Sequence, residues 1–82
     1  MNAKPIRKDL LEYVESRGLL KKWKKAFALF QKDHRHPSLH TELLQPKWRG
    51  IYSFRIDKYY RALFFIGSNG EADIFQITNH YR

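Results

Sequence analysis

Arg55, Arg61 and His80 stand in the last third of an 82-residue chain, on short runs whose alternation of apolar and polar side chains is that of strands. Arginine presents a planar fork of donors that matches phosphate oxygens, and it keeps its charge at any ordinary pH. Histidine, with an unperturbed pKa of about 6.5, gives or takes a proton near neutrality. Two arginines and a histidine gathered on one sheet face can therefore hold and cleave a phosphodiester. Cleaving a phosphodiester needs a base for the attacking hydroxyl, cations on the pentavalent phosphorane and an acid for the leaving oxygen.

The elements that must position these groups follow from the apolar pattern. Tyr60, Ala62, Phe64 and Ile66 form one continuous apolar face of a strand, and Arg61, Leu63 and Phe65 form the other. The next turn is either a two-residue Asn69-Gly70 hairpin or a four-residue Gly67 to Gly70 loop. Both are even, so Phe75 and Ile77 are expected on the core face, with Ile74, Gln76, Thr78 and His80 beside Arg61. The preceding strand must bury Tyr52, Phe54 and Ile56, which requires an odd loop around Asp57 to Tyr59 and sets Arg55 opposite Arg61. Like charges across a ladder are unfavourable, and an anion between them would offset the repulsion. The plainer alternative is two solvated arginines with a carboxylate, Glu42 or Asp57, close by.

Upstream, Asp9 is expected to cap a helix carrying Leu10, Leu11 and Val14, and Gly18 stands where that helix should end. Leu20, Trp23, Phe27 and Phe30 recur at three- and four-residue steps, with Lys21, Lys22, Lys24 and Lys25 opposite, so a second amphipathic helix should run to just before Pro37. The short link makes the two an antiparallel hairpin. Residues 34–49 have no sustained period and read as a connector tacked down by Leu39, Leu43 and Leu44. Residues 1–8 read as a basic arm of the single 1–82 domain. The whole is an α+β chain, with a helical hairpin on one face of a three- to four-stranded antiparallel sheet.

Composition bounds the partners. Six Phe, five Tyr and two Trp supply a core, and with no cysteine there is no disulfide, thiolate zinc site or cysteine nucleophile. No run is apolar enough for a membrane span or a signal peptide, which suggests a cytoplasmic protein. The net charge of +8 points first to nucleic acid; an acidic protein or an anionic membrane surface fits the same number. Lys21, Lys24 and Lys25 are either a solvated helix face or phosphate contacts, as are Lys47 and Arg49 around Trp48. Trp48 itself either stacks on a base or packs on the sheet edge. His34, Arg35, His36 and His40 follow no metal-ligand spacing, so no metal is expected.

Gly50-Ile-Tyr-Ser-Phe-Arg-Ile56 followed by Tyr60-Arg-Ala-Leu-Phe64, with His36-Pro-Ser-Leu-His-Thr-Glu-Leu-Leu44 before them, resembles the RelE/ParE toxin superfamily of toxin-antitoxin modules. The ending Asn79-His-Tyr81 is similar to that of its YoeB branch. The resemblance implies an mRNA endonuclease that acts in the ribosomal A site without metal or small-molecule cofactor, and that is neutralised by a cognate antitoxin. It implies roles for Glu42 as general base, Arg61 and Arg55 on the phosphate, and His80 and Tyr81 in proton transfer and substrate positioning. Within the same superfamily, the ParE type implies a gyrase-inhibiting protein with no catalysis. A third possibility is an inactive basic RNA-binding relative. Met1-Asn-Ala-Lys-Pro5 departs from the opening strand of such proteins, which leaves the sheet one strand short.

Overall fold

The computed structural model describes residues 1–79. Helix α1 (Lys8–Ser16) places Leu10 and Val14 on its buried stripe. It ends in a left-handed glycine cap. Gly18, at φ 68°, donates its N–H to the Glu15 carbonyl, and Leu19 donates to Val14. Asp9 lies inside the first turn rather than at the cap, where Arg7 stands and pairs with it at 3.0 Å. An acid there still faces the positive end of the helix dipole.

Helix α2 (Leu20–Lys32) buries Trp23, Ala26 and Phe30 and exposes Lys21, Lys22, Lys24 and Lys25. Phe27 and Leu20, at the margins of the stripe, are only partly covered, and Ala26 occupies its centre.

The sheet order is β1 (Glu42–Leu43), β2 (Tyr52–Arg55), β3 (Arg61–Ile66), β4 (Ala72–Thr78), antiparallel throughout. Its core face meets α2 through aromatic rings: Phe30 stacks on Phe54 at 4.3 Å and meets Phe64 edge-on at 5.0 Å. All three are essentially without solvent exposure, and each such side chain contributes about 1.5–3 kcal/mol of transfer free energy. None of the described helices is long and apolar enough to cross a membrane.

Two features depart from the sequence reading. The N-terminal segment lies along the outer edge of β4, where Ala3 forms a parallel bridge with Ala72. Lys4 donates to the Ala72 carbonyl at 3.0 Å, and Ala72 donates to that of Asn2 at 2.9 Å. The sheet thus has its opening segment, reduced to a single rung. The connector contributes the short strand β1, too brief to show a period.

The β3–β4 hairpin also corrects the parity argument. Gly67 accepts from Gly70 and donates to Glu71, and Gly70 sits at φ 82°, so the loop Ser68 to Gly70 has three residues, an odd number. Ile74 therefore faces Phe64 on the core side and is buried, and Phe75 turns to the open face, 6.0 Å from the Phe65 ring. A bulge then shifts the register between Leu63 and Phe64, restoring Ile77 to the core and Thr78 to Arg61. The expectations for Phe75 and Ile74 fail; those for Ile77, Gln76 and Thr78 hold because the odd loop and the extra residue cancel.

Candidate functional site

The face of the sheet turned away from the helices carries the polar groups. Arg55 and Arg61 are direct cross-strand partners, as the odd β2–β3 loop requires. Ser53 is the diagonal neighbour of Arg61, and its hydroxyl accepts from Arg61 Nε at 3.0 Å. Arg61 Nη2 donates to the His40 carbonyl at 2.6 Å and lies 3.9 Å from Glu42 Oε1. The Arg61 side chain is 12% exposed and that of Glu42 49%.

Each partner is delivered by a local device. His36 caps the turn Pro37–Leu39: its Nδ1 accepts from the Ser38 N–H at 3.2 Å and faces the Ser38 hydroxyl at 2.8 Å. The turn closes on His40 in the left-handed region, at φ 46°, a conformation that costs a non-glycine residue about 1–3 kcal/mol. That reversal presents the His40 carbonyl to Arg61. Pairing of Glu42 with Ser53 then puts the carboxylate on the same face as the guanidinium. The fully buried Ser53 hydroxyl is satisfied by this contact.

The two arginines have different surroundings. Arg61 is engaged by the β1 side, whereas Arg55 lines a cleft of about 300 Å³ at the end of β2 with Lys22, Lys25, Ser38, Leu39 and Asp57. Asp57 serves the β2–β3 loop: Oδ1 accepts from the Tyr59 and Tyr60 N–H groups at 2.8 Å each, and Oδ2 accepts from Lys22 Nζ at 3.1 Å. Burial pushes its carboxyl up, but those N–H donors and the Lys22 ammonium outweigh burial and hold it below the usual carboxylate range. Of the two carboxylates considered from sequence, Glu42 is the one beside Arg61.

Lys21, Lys24 and Lys25 lie exposed on α2. Lys47 and Arg49 lie exposed on the short helical turn Lys47–Arg49, and Trp48 between them is 85% exposed, so it does not pack on the sheet edge. His80 and Tyr81 fall outside the described residues. Among those described, no three His, Asp or Glu side chains are grouped to hold a metal. The His34 ring instead meets Phe30 edge-on at 6.3 Å.

Sequence reasoning missed Ser53 and the His40 carbonyl as partners of Arg61. Ser53 was findable: it is the small polar residue diagonal to Arg61 once the register is set. The carbonyl was not, since a backbone acceptor leaves no mark on side-chain pattern. What the arrangement offers chemically is a fixed guanidinium with a half-exposed carboxylate at its side, able to orient an anion and accept a proton.

No protein-family model and no curated protein matches the sequence. Solved structures do share its shape. It is similar to a YoeB/ParE toxin from Agrobacterium tumefaciens, with 18% identity and a TM-score of 0.68 over 98% of this chain and 96% of that one. It is also similar to the YoeB dimer from Staphylococcus aureus, with 19% identity and a TM-score of 0.63 over 98% of this chain and 94% of that one. The chain has the fold of the YoeB/ParE toxins.

Proposed function

We propose that the chain is the toxin of a toxin-antitoxin pair and a RelE/YoeB-like endoribonuclease that cuts mRNA on the ribosome in the cytoplasm. The observation that carries this reading is the placement of Glu42 Oε1 3.9 Å from Arg61 Nη2 on the open face of a YoeB/ParE-type sheet. Glu42 or His80 takes the proton of the 2′-hydroxyl, and Arg61 and Arg55 stabilise the phosphorane charge. The P–O5′ bond breaks as the leaving oxygen takes a proton from His80 or Tyr81, and Tyr81 also positions a base. No step needs a metal or cofactor. A net charge of +8 suits approach to ribosomal RNA, with Lys21, Lys24, Lys25, Lys47 and Arg49 as phosphate contacts, and suits neutralisation by an antitoxin with an acidic segment.

The second reading, a ParE-type inhibitor that acts by binding alone, has one observation in its favour. Arg61 is mostly buried and engaged by Ser53 and His40, as a purely structural arginine would be. Growth arrest on expression, combined with mapping of mRNA ends on ribosomes supplied with the purified chain, separates the two. The nuclease reading expects new 5′ ends within ribosome-bound mRNA, and expects Arg61→Ala combined with His80→Ala to abolish both arrest and cleavage. Arrest that survives the double change overturns it.

A further inference from the structure

Trp48 has no part in the chemistry above, and its setting is unusual. An indole that is 85% exposed returns nothing to the core, while Trp23 is 4% exposed and packed. The ring does not hang from a loose loop. Leu44 donates to the Ile51 carbonyl at 2.8 Å and closes the loop at its base. Arg49 donates to Pro46 and Gly50 to Lys47, both at 3.1 Å, and Gly50 ends the turn at φ 66°. Lys47 and Arg49 are its neighbours in the chain and both are exposed, and neither pairs with a carboxylate among the described residues.

The loop also adjoins the open face. Arg49 lines a cleft of about 150 Å³ with Leu44, Ile51, Leu63, Phe75 and Gln76. Leu63 lies two residues along β3 from Arg61, a step of about 7 Å. A largely apolar strip of the open face therefore runs from beside Arg61 to Arg49, the residue next to Trp48 in the chain. An acidic peptide would satisfy the cations and leave the indole without a partner. Single-stranded RNA satisfies both, since each phosphate is followed by a base with a π face.

We propose that Trp48 stacks on an unpaired RNA base while Lys47 and Arg49 hold the flanking phosphates, extending the candidate nuclease site across the open face. The inference rests on RNA being the substrate of that site. Trp23 is buried, so quenching of tryptophan fluorescence, excited selectively over tyrosine, reports Trp48, with Trp48→Phe giving the signal of Trp23 alone. The probe is a 2′-O-methyl oligoadenylate, which lacks the 2′-hydroxyl nucleophile, of about ten nucleotides, within the usual site size of such modules. An oligoglutamate of equal charge is the comparison.

Oligoadenylate should quench the fluorescence and oligoglutamate should not. By anisotropy of labelled oligoadenylate, Trp48→Ala should weaken binding about 5- to 100-fold and Trp48→Phe far less. Lys47→Ala and Arg49→Ala should each lower the salt slope by about 0.7. Unchanged binding by Trp48→Ala, with native circular dichroism, overturns the proposal; so does equal quenching by oligoglutamate. Ribosomal cleavage assays keep the two ideas apart. If the chain cleaves mRNA and Trp48→Ala binds as the parent does, only the stacking role falls; Trp48-dependent RNA binding without cleavage removes only the nuclease reading.

Discussion

The two faces of one sheet are organised by different physics. On the face beneath the helices, Phe54 and Phe64 pack against Phe30, Phe54 also stacks on Trp23, and Ile74 and Ile77 are buried beside them, so the order there is set by volume and ring geometry. On the opposite face the register is as strict, yet what it arranges is polar: Ser53, Arg61 and Glu42 in one connected group, with Leu63 and Phe75 half-buried and Phe65 exposed beyond it. A buried aromatic face can hold a half-open polar face rigid, because alternation along each strand ties every outward side chain to an inward one. The contrast separates the residues that keep the sheet in place from those the sheet displays.

The largest expected effect lies on the sealed face. Phe30→Ala opens a cavity among rings that cannot collapse onto it and should cost about 3–5 kcal/mol in urea denaturation. If the loss is under 1 kcal/mol, α2 is not what anchors the sheet. Next is Arg61→Ala, which strips the buried Ser53 hydroxyl and the His40 carbonyl of their donor. The expected loss is about 1–3 kcal/mol, and Ser53→Ala in the same background should recover part of it. Full additivity of the two changes would mean that the contact is not an energetic unit. Gly70→Ala meets no atom but forces a side chain into φ 82°, so about 1–2 kcal/mol should be lost by thermal unfolding with no change in the Arg61 surroundings.

A smaller effect concerns acid. The Asp57 carboxyl is held low in the folded chain, so its contribution is fully present above the unfolded value of about 3.9 and is lost as pH falls through the folded value. Stability measured between pH 6 and pH 2 should fall less steeply in Asp57→Asn. At neutral pH that change keeps an oxygen for the Tyr59 and Tyr60 N–H groups but removes its charge and the pairing with the exposed Lys22, and should cost about 1 kcal/mol. The smallest effect belongs to Trp48→Ala, within about 0.5 kcal/mol of the parent in the same denaturation, since the ring touches little. A larger loss would move Trp48 from the displayed group to the structural one.

Much of this was legible in the chain. Both helices, the turn at Gly18 and the pairing of Arg55 with Arg61 follow from periodicity, because burial on one face imposes it. The hairpin after β3 was less legible. Asn69-Gly70 signals a tight turn, but the loop length depends on Gly70 alone taking the left-handed conformation, and the composition of the turn does not say which count results. Ile74 and Phe75 are both apolar and adjacent, so either could have faced the core. The choice went to the side chain that fits opposite Phe64.

For the candidate site the division is similar. The sequence by itself determined that an arginine pair would share a sheet face, since alternation is a property of the backbone and each strand has one side that must be dry. It also determined that the chain would be strongly basic. Only the tertiary structure decided what surrounds Arg61. A two-residue strand, a left-handed His40 and a carbonyl oxygen come from segments distant in sequence or from the backbone itself, and neither leaves a side-chain period to read. Tertiary structure likewise decided that Trp48 stands in solvent, because whether an indole is buried depends on what the rest of the chain leaves beside it.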